Sequence, residues 1–269
     1  MVREYKIIEK YEEVPNVHKF VIRDPSIAKK ARAGQFVLVM ANEKGERIPL
    51  TLSDWDEKDG TITLYVLELG VSTMELISLR KGDSLHSLAG PLGHPARVEK
   101  FGNVLLGGGC FGIGGIYPIA KAMKKAGNHV TVIMEARSNY LLYNQEKLRS
   151  TADDFHITTS DGSAGVKGHV EKKMQELIEE GGKFDHAYFM GCTFMLMQCS
   201  KSTQPHNIPT GVALNAIMLD GTGMCGCCRV SLGEETKFVC VDGPELDGHL
   251  VDWEELFIRK HIYREEEAV

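Results

Sequence analysis

Apolar and polar positions alternate in short runs along the first third of the chain. The segments REYKIIEKYE, VHKFVIRD, QFVLVMA and GTITLYVLEL follow a period of two and are separated by Pro, Gly and Asp turns. This spacing is typical of the strands of a small antiparallel barrel. We therefore predict a β-barrel over residues 1–98, interrupted by one short helix from about Ser72 to Arg80.

The pattern changes after residue 98. Strand-like runs (NVLLGG, HVTVIME, FHITTS and HAYFMG) now alternate with helical ones (IYPIAKAMKKAG and VEKKMQELIEEGG). Such alternation predicts βα units on a parallel sheet, which we assign to residues 99–210. The remaining residues, 211–269, carry most of the cysteines and are predicted to form a smaller lobe. The expected fold class is multidomain β and α/β.

Composition and charge exclude several function classes. With 43% hydrophobic and 25% charged residues, the 269-residue chain has the composition of a soluble protein of more than one domain. A net charge of −6 gives no broad attraction for nucleic acid or an anionic membrane. The stretch VLLGGGCFGIGGIYPIA contains too many glycines for a membrane helix. The first residues lack a continuous apolar block, so we expect no export signal and a cytoplasmic location.

A glycine-rich turn follows the first strand of the α/β region. Gly107, Gly109 and Gly112 form G-x-G-x-x-G between an apolar strand and a helix. Without a Cβ atom, these positions let backbone N–H groups approach a phosphate. Close packing alone is the alternative explanation for the same glycines.

The end of the next strand bears on the choice of dinucleotide. Glu135 stands where a carboxylate accepts hydrogen bonds from an adenosine ribose and repels a 2′-phosphate, which favours NAD over NADP. Arg137 follows two residues later and is able to meet a phosphate, so NADP stays open.

Two stretches of the predicted barrel have both structural and binding explanations. ERIPLTLSD is either a strand with a surface arginine or one end of a pyrophosphate site. In GVSTMEL, Ser72 and Glu75 predict an S-x-x-E capping box, and the same helix start is able to hold the other end of the pyrophosphate.

The cysteines indicate a metal or redox centre. Four of the seven lie close together in a chain without an export signal, a setting in which disulfides are not expected. Asp220, Cys225, Cys228 and Cys240 have the spacing D-x4-C-x2-C-x11-C, and plant-type two-iron clusters use C-x4-C-x2-C with a distant fourth cysteine. The alternative is zinc on the same three cysteines, with Asp220 or His249 as the fourth ligand. Cys227 is able to replace Cys225 as a ligand, but the C-x2-C loop geometry favours Cys227 as the spare thiol.

The order of these motifs resembles the ferredoxin-reductase superfamily over nearly the whole chain. The motifs are RIPLT, GVST, the glycine-rich turn, DGSAGVKG and GCTFM, the last in place of the C-G-P-x-x-M of many relatives. The resemblance implies a flavin-binding barrel that holds FAD through Arg47, Pro49, Leu50, Thr51, Val66, Gly70, Ser72 and Thr73. It also implies a nicotinamide nucleotide, NAD(H), bounded by Gly107, Gly109, Gly112, Gly114, Asp161, Gly162 and Cys192, beside Glu135 and Arg137.

The cysteine-bearing lobe resembles the [2Fe-2S] lobe of two kinds of electron-transfer subunit. One belongs to dihydroorotate dehydrogenase B, and the other to NADH-dependent reduced ferredoxin:NADP oxidoreductase, an electron-bifurcating enzyme. Aspartate in the first ligand position, as at Asp220, resembles the second kind. We therefore rank the second kind first and keep the first as the alternative.

This resemblance implies an oxidoreductase subunit that needs no catalytic acid, base or nucleophile. FAD accepts a hydride from NADH and releases single electrons to the cluster. It further implies a larger partner, similar to the small subunit of glutamate synthase, that carries FAD and [4Fe-4S] clusters and binds NADP and ferredoxin. A hypothesis of another class is a non-catalytic nucleotide sensor with a zinc-stabilised tail.

Overall fold

The computed structural model describes residues 4–261 and divides the chain into two compact units. Among the described residues, the first unit combines 4–95 with Ala216–Pro244 and 252–261. The second comprises Ala96–Asn215 and Glu245–Val251. The segment 211–269, predicted as a lobe of its own, therefore contributes residues to both units.

The first unit begins with eight antiparallel strands. They are β1 (Tyr5–Val14), β2 (Val17–Arg23), β3 (Phe36–Met40), β4 (Ile48–Thr51), β5 (Asp54–Asp56), β6 (Thr61–Leu67), β7 (Ser84–Leu85) and β8 (Ser87–Leu92). One sheet has the order β5-β6-β2-β1-β7 and the other β4-β3-β8. Two helices, α1 (Pro25–Ala28) and α2 (Val71–Ser78), lie between the strands. This arrangement confirms the predicted antiparallel β region.

The two antiparallel sheets share one hydrophobic core. Alternate side chains of β2 and β6 point into it, and Phe20, Ile22, Ile62 and Leu64 are at most 1% exposed. Successive side chains of a strand point to opposite faces, which explains the period of two in the sequence.

The second unit is built on a parallel sheet. Its first six strands are β9 (Asn103–Gly109), β10 (His129–Ala136), β11 (Asp154–Thr159), β12 (Val166–Lys167), β13 (His186–Met190) and β14 (Thr210–Ala213). The helices between them are α3 (Gly112–Lys125), α4 (Gln145–Thr151), α5 (Val170–Glu179) and α6 (Thr193–Thr203). The strand order β12-β11-β10-β9-β13-β14 places the first strand in the middle, so the winding reverses between β9 and β13.

The carboxyl-terminal segment adds a hairpin, a strand and two helices. They are β15 (Arg229–Leu232), β16 (Glu235–Phe238), α7 (Val239–Asp242), β17 (Glu245–Asp247) and α8 (Trp253–Lys260). Strand β17 joins the parallel sheet as its edge, antiparallel to β14. Between residues 4 and 261, no helix combines the length and the apolar character needed to cross a bilayer.

Candidate functional site

The carboxyl ends of β9 and β13 form the crevice of the second unit. Met190 of β13 pairs with Gly108 of β9, at the point where the strand order reverses. Doubly wound sheets bind their ligands at this reversal, outside the carboxyl ends of the strands. The fold therefore brings together the glycine-rich turn and Cys192, as the sequence predicts.

Protein atoms already surround the three glycines of the turn. A Cβ atom at Gly107 would lie 2.5 Å from Phe189 Cδ1, and one at Gly109 would lie 2.7 Å from Met195 Sδ. A Cβ atom at Gly112 would lie 2.0 Å from the backbone oxygen of Met190. Close packing is thus sufficient to require glycine at Gly107 and Gly112, whereas the flexible Met195 side chain could move away from a Cβ atom at Gly109. Contact of the three glycines with a phosphate stays a prediction.

Tyr143 holds the same turn in place. Its buried hydroxyl donates a hydrogen bond to the carbonyl of Cys110 (3.0 Å) and accepts one from the Gly114 N–H (3.1 Å). Cys110 has a φ of +51°, which is uncommon for residues other than glycine. The hydrogen bond from the Tyr143 hydroxyl helps to hold the Cys110 backbone in this conformation. Sequence reasoning missed Tyr143, because no local pattern marks a tyrosine that acts on a turn about thirty residues earlier.

We expect Tyr143→Phe to lower the free energy of unfolding by about 1–3 kcal/mol, because it leaves the buried Gly114 N–H without its acceptor. Tyr188→Phe in β13 is the matched control, since the Tyr188 hydroxyl is buried without a hydrogen-bond partner among the described residues. Urea unfolding of both variants measures the difference. Equal losses of stability in the two variants would contradict the role given to the Tyr143 hydroxyl.

Glu135 and Arg137 both lie at the end of β10, but their settings differ. Glu135 Oε2 accepts the Val170 N–H at the start of α5 (2.9 Å), and Oε1 lies 3.0 Å from His169 Nδ1. Hydrogen bonding to Glu135 raises the pKa of His169. Both carboxylate oxygens are thus engaged within the protein, and a ribose contact would compete with this helix cap. Arg137 is exposed.

The loop after β11 lies beside the end of β10. Asp161 Oδ1 accepts hydrogen bonds from the hydroxyl (2.6 Å) and N–H (2.9 Å) of Ser163. These hydrogen bonds lower the pKa of Asp161 to about 2, so its side chain is ionised at neutral pH. The Asp161 N–H donates to the Arg137 carbonyl (3.2 Å), and Gly162 follows with a φ of +78°. The structure therefore joins the predicted Asp161 loop to the end of β10.

Cys110 and Cys192 stand exposed just beyond β9 and β13. Although the Cys110 residue is exposed as a whole, desolvation of its thiol by nearby protein atoms, together with Cys192 and Glu135, raises its pKa to about 11, so it is protonated at neutral pH. The Cys192 carbonyl accepts the Leu196 N–H (3.1 Å) at the start of α6. The protonated Cys110 thiol is not set up as a nucleophile at neutral pH.

The residues predicted to bind FAD lie together in the first unit. Arg47 is exposed just before β4, which contains Pro49, Leu50 and Thr51 and pairs with β3. Val66 lies on β6 with its side chain fully inside the hydrophobic core, so any contact with a flavin would involve its backbone.

The start of α2 differs from the predicted S-x-x-E capping box. The helix begins at Val71, and Thr73 Oγ1 accepts the N–H of Gly70 (3.0 Å). Ser72 lies inside the first turn and donates to Glu46 Oε2 (3.3 Å). The predicted box is therefore wrong, because Gly70 is the cap residue and Thr73 supplies the capping side chain. The hydroxyls of Ser72 and Thr73 would have to exchange these partners to bind a pyrophosphate.

Hydrogen bonds between its own residues stabilise the loop from Asp220 to Cys228. Asp220 Oδ1 accepts the Thr222 N–H (2.9 Å), and Oδ2 accepts the Cys225 N–H (2.8 Å). These backbone bonds lower the pKa of Asp220. Gly221, with a φ of +69°, starts a turn that a residue with a Cβ atom adopts only with strain. The loop thus presents an ionised carboxylate close to the first cysteine.

The predicted ligands occur as two neighbouring pairs. Cys228 and Cys240 are each 1% exposed, and the Cys240 N–H points at Cys228 Sγ (3.4 Å). Asp220 is hydrogen-bonded to Cys225 in the same loop. A [2Fe-2S] cluster takes two protein donors at each iron, so paired donors, one pair carrying an N–H···S hydrogen bond, fit this group.

A mononuclear zinc site fits less well. Across residues 4–261, no three His, Cys, Asp or Glu side chains converge as ligands of one ion do. His249, the alternative fourth ligand, has its Nε2 atom 2.9 Å from Thr203 Oγ1. A structural zinc ion requires four donors in a closed tetrahedral arrangement, and the described residues do not form such an arrangement in advance.

Comparisons with known proteins identify the family of the chain. Residues 215–252 match a family model described as the iron-sulfur cluster binding domain of dihydroorotate dehydrogenase B. A Thermotoga maritima protein described as a homologue of the electron-transfer subunit of that enzyme is 44% identical, over 98% of this chain and 93% of its own length. The chain belongs to the family of dihydroorotate dehydrogenase B electron-transfer subunits.

Solved structures extend the comparison to this family's fold. One chain from the structure of NADH-dependent reduced ferredoxin-NADP oxidoreductase matches with a TM-score of 0.94 and 43% identity, over 99% of this chain and 96% of that one. A Neisseria gonorrhoeae ferredoxin NADP+ reductase matches in fold alone, with a TM-score of 0.64 and 17% identity over 76% and 91% of the two chains. The predicted family, the ferredoxin-reductase-like fold and the role as an oxidoreductase subunit for electron transfer are confirmed.

Proposed function

We propose that this electron-transfer subunit passes electrons between NAD(H) and a larger iron-sulfur flavoprotein, within an electron-bifurcating NADH-dependent ferredoxin:NADP oxidoreductase. The donor set that begins with Asp220 carries the proposal, because an aspartate in the first ligand position separates this enzyme from typical dihydroorotate dehydrogenase B. The similarity to the bifurcating enzyme, 43% identity over 99% of the chain, supports it.

The residues of the chain would bind and position the cofactors, and the cofactors would carry out the electron transfer. Bound FAD supplies the conversion of a hydride into single electrons, and a [2Fe-2S] cluster supplies one-electron transfer. Asp220 and Cys225 would hold one iron, and Cys228 and Cys240 the other. The barrel residues from Arg47 to Thr51 would line the flavin, and the N-terminus of α2 would face its pyrophosphate. The crevice beside Cys192 would receive the nicotinamide nucleotide.

The partner remains part of the proposal. The relatives are named as electron-transfer subunits, which implies a heteromeric enzyme. We propose a partner similar to the small subunit of glutamate synthase, with FAD and [4Fe-4S] clusters, that binds NADP and ferredoxin. A cytoplasmic location stays a prediction.

Anaerobic titration with NADH tests the function. We expect NADH to bleach the flavin absorption and to produce the EPR signal of a reduced [2Fe-2S] cluster in the same chain. A colourless chain that binds NAD without either change would contradict electron transfer and favour the nucleotide sensor.

The partner that co-purifies with the chain from the native cell distinguishes between the two candidate electron-transfer enzymes. We expect an iron-sulfur flavoprotein to accompany the chain. Recovery of an orotate-forming subunit instead would assign the chain to dihydroorotate dehydrogenase B, the alternative retained because the 44% identical relative is named as a homologue of that subunit.

A further inference from the structure

Two arginines contact consecutive carbonyl groups inside the C-x2-C loop. Arg259 Nη2 donates to the Cys227 carbonyl (2.9 Å), and Arg229 Nη1 approaches the Gly226 carbonyl (3.3 Å). Both arginines also line one surface cavity with Cys227. They come from separate elements, helix α8 and strand β15, so the loop between Cys225 and Cys228 is held from two sides.

Helix α8 is itself fixed to the hairpin that follows the loop. Asp252 caps the helix by accepting the Glu255 N–H (2.9 Å), and Glu255 Oε2 accepts the Ser231 N–H of β15 (3.1 Å). Residues four apart share a helix face, so Glu255 and Arg259 reach the hairpin and the loop from the same side. Leu256 is buried beneath them. The position of the Arg259 guanidinium is therefore set by the fold.

A positive charge at this place has an electrostatic consequence. Three thiolates and one carboxylate give a [2Fe-2S] centre a net negative charge, and reduction adds one more negative charge. Reduction potentials of such clusters depend on nearby charge and on hydrogen bonds. A guanidinium beside the ligand loop favours the more negative, reduced form.

We propose that Arg259 and Arg229 are positioning residues that set the reduction potential of the cluster, with Arg259 the stronger of the two. This inference rests on the proposed function, because it requires the cluster that Asp220, Cys225, Cys228 and Cys240 would hold. The two guanidinium groups hold the loop carbonyls and raise the potential at which the cluster accepts an electron.

A potentiometric titration of the full-length, cluster-containing chain, followed by EPR, tests the proposal. For Arg259→Gln we expect the one-electron reduction equilibrium to move about tenfold toward the oxidised form, which is about 59 mV more negative. Arg259→Lys retains the charge and should keep most of the wild-type potential. Arg23→Gln, at an exposed position of β2, is the matched control for loss of one arginine and should leave the potential unchanged.

The outcomes separate this inference from the proposed function. A wild-type chain without a cluster would overturn both. A wild-type chain with a cluster, whose potential Arg259→Gln leaves unchanged, would overturn this inference alone. If Arg259→Gln fails to assemble the cluster, Arg229→Gln decides, because the Arg229 side chain is exposed and its loss is compatible with folding. A negative shift supports the inference, and an unchanged potential refutes it.

Discussion

Cys228→Ala is expected to yield a chain that retains FAD but lacks iron and acid-labile sulfide, whereas Cys227→Ala keeps all three. Cys228 is buried, and its sulfur accepts the N–H of Cys240, as a thiolate ligand would require. Cys227 is partly exposed and lies outside the D-x4-C-x2-C-x11-C spacing. Removal of a buried ligand leaves one iron a donor short, so the cluster does not assemble.

Iron and sulfide analysis, together with the absorption spectrum, measures this result. Cys199→Ala removes a buried thiol from α6 in the other unit and controls for loss of a cysteine as such. A chain that loses its cluster with Cys227→Ala and keeps it with Cys228→Ala would show that the ligand set is wrongly assigned.

Glu245→Gln is expected to stabilise the chain at pH 8 by about 3 kcal/mol. Burial raises the pKa of Glu245 to about 7 from its usual value of 4.5, although its Oε2 atom accepts the Arg97 N–H (2.8 Å). Because the folded state holds this proton more tightly than the unfolded state, stability is lost as the pH rises from 4.5 through 7. Each pKa unit corresponds to about 1.4 kcal/mol, which gives the expected magnitude.

Urea unfolding of both chains at pH 5 and pH 8 tests this effect. Glutamine keeps an acceptor for the Arg97 N–H and has no charge to bury, so its advantage should shrink to about 1 kcal/mol at pH 5. Glu179→Gln, at an exposed position of α5, is the control and should show no such pH dependence. An advantage of Glu245→Gln that is the same at both pH values would contradict the role of the buried carboxylate.

Local sequence patterns were sufficient for the main elements. The period of two in β2 and β6 comes from residues such as Phe20 and Ile62, which alternate with residues on the other face of the strand. The spacing of Asp220, Cys225 and Cys228 within one loop, with Cys240 in α7 just after the following hairpin, likewise predicts a two-iron centre, because this spacing is nearly local in the sequence. Each of these features depends on residues close together in the chain.

Features that depend on distant partners were not predictable. Strand β17 is three residues long, and only pairing with β14 makes it part of the parallel sheet. Arg259 contacts Cys227 across 32 positions of sequence, and nothing near either residue signals that contact. The sequence prediction missed the capping of α2 by Thr73 because it placed the first residue of the helix at Ser72, whereas the helix begins at Val71.

The proposed function depends above all on iron and sulfide being held by Asp220 and three cysteines. Analysis of iron, acid-labile sulfide and zinc in the anaerobically purified chain tests it most directly. We expect about two irons and two sulfides per chain and no zinc. One zinc per chain without sulfide would contradict it.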